Sequence, residues 1–586
     1  MNIFGILTMI GGVALFLYGM HVMGEGLSKL AGSSLEKVLE KLASGKIKAI
    51  FLGAAVTAVI QSSAATTVML VGLVNSGIMK LSQAVGVIMG ANIGTTMTSW
   101  ILSLSGIEEG NFFIQMLKPS SFCPILAIIG TVFVVFTKSK KKTDIGTIMI
   151  GFSVLMFGME TISNAVRPLK DVPEFINLFT LFTNPVLGMI VGAVLTAAIQ
   201  SSSASVGILQ ALCMTGKITY GAAIPIIMGQ NIGTCVTALL SSMGAKTNAK
   251  RAALVHLYFN VLGTVIFMVG FYSLNVFIKF SFLSDAAGAV GIAIIHTCFN
   301  IGATVILSIF SDFVEKLAVI SVKEEKVDEE NKRFDILDSR FLDTPGFAIE
   351  KARSATNDMA RVADKGVNLS LGLLGNYDEK IEEEVLRLED IVDKYEDKIG
   401  TYLLRINSEN IKAEDSATVT MLLRTIVDIE RISDHSVNIM QSAKELYDKK
   451  LSFTEQGQKE MQLYTKAISD ILTYTTDIFN KNDVDAATQI EPFEEVIDNL
   501  STELKGRHVK RLRDGNCSIE LGFVWNDILT NCERVSDHCS NIAVTMIEIG
   551  ANENDRHGYL KYIKKDNVQE FKKKTQEFAQ RYVLPS

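Results

Sequence analysis

GAAVTAVIQSSAATTVMLVGLVNSGIMKLSQAVGVIMGANIGTTMTSWILSL, residues 53–104, is matched without a gap by residues 192–243, GAVLTAAIQSSSASVGILQALCMTGKITYGAAIPIIMGQNIGTCVTALLSSM. At this shift of 139 residues, 22 of the 52 positions are identical. They include Gln61/Gln200, Ser62/Ser201, Ser63/Ser202, Gly77/Gly216 and the whole of GxNIGT at residues 90–95 and 229–234. The same shift lays Gly19 on Gly158 and Met20 on Met159, so the repeats run from about 12 to 104 and from 151 to 243. Apolar helices resemble one another by composition alone, but polar residues held in constant register do not. The duplication is therefore internal to the fold.

Outward from the repeat, the chain divides by charge. Residues 1–320 carry 19 Lys+Arg and 12 Asp+Glu, and the remainder of the 56 and 63 lies beyond them. Mean hydropathy is +0.29 over 586 residues, and long apolar runs fill the first part at 3–23, 122–136, 145–163, 252–272 and 286–309. About 20 apolar residues cross a bilayer as a helix. Residues 1–320 thus read as a membrane domain of about six spans with two hairpins. Residues 1–23 lack a basic leader and a small-residue cleavage site, and read as a retained first span. The seven cysteines form no CxxC pair, and four of them (Cys123, Cys213, Cys235, Cys298) lie in apolar stretches, so neither a disulfide framework nor a zinc site is supported.

A repeated membrane unit places a substrate site between its halves. If the Gln-Ser-Ser segments, 47–75 and 186–214, are re-entrant hairpins, loops 24–48, 138–143 and 244–251 share one side with 12 Lys+Arg, and loops 106–120, 166–186 and 279–285 share the other with 4. The positive-inside rule then puts the first set and the C-terminal part in the cytoplasm, the N-terminus outside, and makes the two repeats inverted. The expected class is all-α: a polytopic domain of two inverted repeats with re-entrant hairpins, plus a soluble helical domain.

QSSAATT from Gln61 and QSSSAS from Gln200 place hydroxyls and an amide inside apolar segments, where polar groups are costly without partners. Ser/Thr pairs commonly do no more than glue helices together. Duplication of the whole motif favours a site instead. A helix broken at depth offers free N–H groups to an anion and free C=O groups to a cation. GxNIGT adds glycines at 90, 94, 229 and 233 that permit a break or a close approach, with Asn92, Thr95, Asn231 and Thr234 as polar lining. No charged residue lies in these motifs, which favours an anion that crosses together with a cation. HLYFN at 256–260 and HTCFN at 296–300 place His and Asn on one helix face, and read as interhelical hydrogen bonding before a proton relay. His21 and Glu160 coincide in the repeat and read as interfacial.

Paired QSSxxx segments, each followed by GxNIGT, resemble the type II sodium–phosphate cotransporter family over residues 1–310. The resemblance implies that Gln61, Ser62, Ser63, Thr66 and Thr67 line the pathway from one side, and Gln200, Ser201, Ser202, Ser203 and Ser205 from the other. It implies inorganic phosphate as substrate and sodium ions as co-transported partners. Ala64 stands where the second copy has Ser203, and the acidic residue that electrogenic animal members use has no evident counterpart.

Residues 321–345 read as a charged linker. Beyond it, 3.6-period stripes such as Val385-Leu388-Ile391-Val392 and Met421-Leu422-Thr425-Ile426-Ile429 predict helices near 346–374, 379–407, 412–446, 455–480, 491–513 and 518–548. ERISDHSVNI at 430–439 recurs as ERVSDHCSNI at 533–542, so two tandem three-helix bundles are expected, 346–450 and 451–560, with a charged tail at 561–586. ExxxD occurs four times, and carboxylates gathered from adjacent helices invite a hard cation, although one such pair alone is usually a solvated face. A triad from Ser433, Asp434 and His435 fails, because adjacent helical residues point apart.

These residues resemble the phosphate-uptake regulator family PhoU over 345–550. The resemblance implies a cluster of divalent or ferric ions held by Glu389, Asp393, Glu430 and Asp434 and, in the second bundle, Glu494, Asp498, Glu533 and Asp537. The expectation is sodium-driven phosphate symport across a prokaryotic plasma membrane, regulated by the cytoplasmic domain. Membrane lipid, a signalling partner and a second copy of the chain are the other expected partners; nucleic acid is not. Alternatives are a phosphate-binding sensor, an exporter, or a transporter of another oxyanion. No nucleophile–base arrangement supports an enzyme.

Overall fold

The computed structural model describes residues 3–31, 45–106, 118–137, 139–168, 172, 182–324, 331–406, 413–550 and 568–585. Residues 325–330 of the expected linker, and residues 407 and 412 at the ends of two expected helices, lie outside them, as does the start of the expected tail. The described residues are almost wholly helical, with one isolated antiparallel bridge between Thr219 and Ala286. Two compact units meet in sequence at Thr344 and Pro345.

The first unit holds α1 (Ile3–Ala31), α2 (Lys46–Ile60), α3 (Ser63–Asn75), α4 (Leu81–Ser103), α5 (Pro119–Phe136), α6 (Lys140–Val166), α7 (Pro185–Ile199), α8 (Ser202–Cys213), α9 (Tyr220–Ser241), α10 (Thr247–Ile278), α11 (Ala289–Ile309) and α12 (Ser311–Ser321). Seven of these, α1, α4, α5, α6, α9, α10 and α11, are long and apolar enough to cross a membrane. The expectation of about six spans is thus one short. The GxNIGT motifs lie in the middle of α4 and α9, two uninterrupted helices. Large apolar side chains face outward, among them Ile128, Phe136, Phe277 and Ile309, as a lipid-facing surface requires.

The repeat is visible in the packing. Gly19 of α1 lies against the backbone of Leu155 in α6, where an added Cβ would be 2.2 Å from the Leu155 nitrogen. Gly158 of α6 lies in the same way against Phe16 of α1, at 2.3 Å. Phe16 and Leu155 are themselves 139 apart, so the contact is reciprocal, as contacts across a local twofold are. Phe16, Met23, Leu155, Met156 and Met159 form a buried cluster around it.

After α12, two 3-10 turns, Asn331–Phe334 and Ser339–Asp343, still belong to the first unit. The second unit holds α13 (Pro345–Leu373), α14 (Glu379–Leu404), α15 (Ala413–Asp448), α16 (Glu455–Lys481), α17 (Val484–Ala487), α18 (Ile490–Arg513), α19 (Ile519–Gly550) and α20 (Val568–Ala579). Asp378 caps α14 by accepting the Lys380 N–H, and Thr454 caps α16 by accepting that of Gly457. The stripes read from the sequence are buried: Val385, Leu388, Ile391 and Val392 on α14, and Met421, Leu422, Thr425, Ile426 and Ile429 on α15. Helices α13–α15 pack as one bundle, α16, α18 and α19 as another, and α15 packs along α19 to join them.

Candidate functional site

Each Gln-Ser-Ser segment ends one helix and starts the next. Gln61 closes α2 in the left-handed region (φ 60, ψ 22), and its N–H donates to Thr57 O at 2.7 Å. Gln200 closes α7 in the same conformation (φ 59, ψ 22), its N–H on Thr196 O at 2.7 Å. A non-glycine residue there costs about 1–2 kcal/mol, and it recurs in both copies. Ser62 and Ser201 are then extended, and their hydroxyls accept the N–H groups of Ala65 at 3.1 Å and Ala204 at 3.2 Å. Each serine caps a new helix, α3 or α8, in the middle of an apolar segment.

The first N–H groups of a helix have no partner within it, and the dipole is positive there. Ser63, Ser202 and Ser203 stand at these two starts and are buried. Thr66 and Thr67 return their hydroxyls to Ser62 O at 3.0 Å and Ser63 O at 2.7 Å. Thr57, absent from the sequence-based list, meets Thr66 hydroxyl to hydroxyl at 3.1 Å. Its counterpart Thr196 and Ser205 are both fully buried and have no hydrogen-bond partner among the described residues. Gln61 is half-buried and accepts from Thr98 at 2.9 Å, whereas Gln200 is exposed.

The GxNIGT glycines serve close approach, and neither helix breaks. A Cβ on Gly90 would stand 1.9 Å from Ile50 O of α2, and one on Gly229 would stand 1.9 Å from Met189 O of α7. Thr95 and Thr234 bond back to Ala91 O and Gln230 O along their own helices. Asn92 donates across to Asn260 Oδ1 of α10 at 3.3 Å, while Asn231 donates to Ile227 O. The return helices cross over: α3 packs on α9 as well as α4, and α8 on α4 as well as α9.

Of the two histidines, His296 pairs its Nδ1 with Ser99 Oγ at 2.7 Å, an interhelical bond, and both histidine carbonyls accept from the asparagines four residues on. His21 and Glu160 are exposed. Sequence reasoning missed Gln210, which donates to Ser99 O and Ala289 O, and Gln230, fully buried with both amide atoms unpartnered among the described residues. Gln230 was detectable as a polar residue in the repeat where the first copy has Ala91.

In the second unit, one carboxylate oxygen each from Glu389, Asp393 and Asp434 lies within 4.8 Å of the others, and Glu494, Asp498 and Asp537 form the same triad in the second bundle. Glu430 and Glu533 stand outside both triads. Glu533 accepts Ser501 and Lys505 at 2.8 Å each, and Glu430 pairs with Arg431 at 3.5 Å. Burial, then the charge of Asp498, pushes the Glu494 carboxyl up to about 8. Burial and Glu533 raise Asp498 to about 6. Burial and Asp393 raise Glu389, and burial and Asp434 raise Asp393. Three crowded, partly dehydrated carboxylates fit a hard, oxygen-seeking cation, which would remove their mutual repulsion.

Against known proteins, residues 15–164 and 173–295 match the family model of the Na+/Pi-cotransporter, and residues 356–443 and 463–546 that of the PhoU domain. The chain is 26% identical to a Salmonella typhimurium protein named as a candidate inorganic phosphate export protein, YjbB, over 94% of this chain and 99% of that one. It is 28% identical to a PhoU homologue of Thermotoga maritima, the phosphate-specific transport system accessory protein PhoU homolog 1, over 34% of this chain and 87% of that one. Human sodium-dependent phosphate transport protein 2B is 36% identical over a shorter stretch, 17% of this chain and 15% of its own. Between them the two family models take in most of the sequence: a Na+/Pi-cotransporter domain within residues 15–295, followed by a PhoU domain within 356–546.

Proposed function

We propose that this chain is a sodium-coupled phosphate symporter whose substrate site is built by the two Gln-Ser-Ser helix breaks. The observation that carries the reading is the pair of serine-capped helix starts within apolar segments, each behind a glutamine in the left-handed region. Phosphate is held by the unpaired N–H groups there and by the hydroxyls of Ser62, Ser63, Ser201, Ser202 and Ser203. Sodium takes oxygen ligands, with Gln61, Thr66, Thr67, Gln200 and Ser205 around it and Asn92, Thr95, Asn231 and Thr234 behind. Charge carried together crosses more cheaply than either ion alone, which suits a site with no charged side chain. The halves are inverted, the C-terminal domain is cytoplasmic, and its two carboxylate triads hold cations that stabilise a regulatory state. The reciprocal Gly19 and Gly158 contacts and the loop charges support that arrangement.

Phosphate flux in proteoliposomes, with and without a sodium gradient, tests the reading for wild type and Ser201→Ala. Sodium-dependent flux that falls at least about tenfold in the variant, with the protein still folded, is expected. Removing a cap of this kind costs only about 1 kcal/mol of stability. Flux indifferent to sodium sinks the coupling.

A second reading, export, is favoured by the name of the Salmonella typhimurium relative, which aligns along nearly the full length of both chains. The same site serves either direction. Loading inside-out and right-side-out vesicles separately distinguishes them by the side from which phosphate leaves.

A further inference from the structure

On leaving α11 the chain does not run free to the second unit. It touches the first hairpin at both ends. At the hairpin's start, Lys46 Nζ pairs with Asp312 of α12 at 2.6 Å, an exposed contact that contributes little by itself. At its end the contacts are half-buried or buried. Asn75, the last residue of α3, donates from Nδ2 to Asp338 Oδ2 at 2.7 Å and accepts the Lys246 N–H at 2.8 Å. Asp338 is 6% exposed and is gripped by Arg340, Nε to Oδ1 at 2.7 Å. Arg340 Nη1 reaches Ser241 O at the end of α9 at 3.0 Å, and Lys246 Nζ pairs with Asp335.

An aromatic ring completes the contact. Phe341 is 1% exposed and lies on Gly72 of α3, where a Cβ would stand 2.8 Å from the ring. A buried carboxylate, its paired guanidinium and a buried phenyl ring are not features of a slack tether, since each requires a fixed partner. Thr344 follows, and Pro345 opens α13.

We propose that residues 331–343 are a clamp that fixes the inner end of α3 and sets how readily the first hairpin loosens, and that the C-terminal domain acts on transport through it. The last clause rests on the transport reading above; the clamp itself does not. A pull on the segment before Pro345 withdraws Phe341 from Gly72 and Asp338 from Asn75. That frees the helix whose other end is capped by Ser62.

Hydrogen exchange on the full-length protein tests this, read on peptides within 62–80, with peptides within 186–214 as internal control. Asn75→Asp sets two carboxylates against each other. It is expected to raise exchange in 62–80 by about tenfold or more, and adding Asp338→Asn is expected to restore it. Phe341→Ala is expected to raise it without any change of charge. Unchanged exchange in 62–80 for both Asn75→Asp and Phe341→Ala overturns the clamp, as does an equal rise in the control peptides. Where wild type carries phosphate, raised exchange beside unaltered flux overturns the regulatory clause. A wild type that carries none fails the transport reading, and exchange still decides the clamp.

Discussion

Thr57 Oγ1 donates to Thr66 Oγ1 at 3.1 Å, tying the two legs of the first hairpin together through fully buried hydroxyls. In the second hairpin, Thr196 and Ser205 occupy the matching positions without making that bond. An unpartnered buried hydroxyl costs about 1–3 kcal/mol, and a bound ligand would relieve that cost at both residues. Under the transport reading that ligand is sodium. Thr196→Val and Ser205→Ala are expected to raise the sodium concentration for half-maximal flux by about tenfold, equivalent to about 1.4 kcal/mol. Thr57→Val should lower stability by about 1 kcal/mol and leave sodium dependence nearly unchanged. A sodium titration of radiolabelled phosphate flux reads both, and equal sodium curves for all three variants would remove the assignment.

Gly90 and Gly229 tolerate no side chain. Adding a methyl places it 1.9 Å from a backbone oxygen in each case, and a peptide group has no rotamer to escape into. Gly90→Ala and Gly229→Ala are expected to cost about 3 kcal/mol or more, the upper end for overpacking. Gly11→Ala, with nothing within 4 Å of its added carbon, is the neutral control. Thermal melting of the detergent-solubilised protein checks the order, and equal melting temperatures would refute the close approach.

The metal-free triads predict a pH dependence of definite sign. Glu494 titrates near 8 and Asp498 near 6, both above the ordinary carboxyl range because burial and like charges oppose ionisation. The folded chain therefore keeps protons that the unfolded chain has released, and stability falls as pH rises from about 4 to about 8. Chelator-stripped protein should melt at progressively lower temperature across that window. A divalent cation should restore the loss most at the alkaline end, and Glu494→Gln should flatten the curve. A melting temperature that holds level, or climbs, with pH contradicts the assignment.

Glu460 is fully buried and held by Arg507 at 3.1 Å and by Arg511. Truncating one member of a buried ion group leaves the others uncompensated, a loss of about 3–5 kcal/mol. Glu460→Ala is expected to unfold the second bundle at markedly lower denaturant concentration. Lys459→Ala, whose ion pair with Glu455 is exposed, should move the midpoint little. Circular dichroism against urea distinguishes them.

Much of this was legible in residue order. The repeat, the helix ends at Gln61 and Gln200, and the buried stripes of α14 and α15 all follow from local chemistry repeated in register. What stayed hidden depends on neighbours distant in sequence. GxNIGT permits a break or a contact, and only the presence of α2 and α7 alongside decides for the contact. Glu430 and Glu533 share their motif with Asp434 and Asp537 yet stand outside the triads; Ser501 and Lys505, distant in sequence, hold the Glu533 carboxylate. The docking of Asp338 and Phe341 was invisible, because a charged segment with two phenylalanines reads as a linker until a groove receives it.

The bare peptide surface at Gly90 and Gly229 also has a kinematic consequence. Helices in contact through their backbones, with no flexible side chain between them, cannot slide past one another. Each outer leg and its neighbouring span, α2 with α4 and α7 with α9, therefore travels as one rigid body, and a cross-link joining the two members of either pair should leave turnover intact. Under the transport reading, alternating access is assigned to the return helices, α3 and α8, which join the two blocks through the left-handed Gln61 and Gln200.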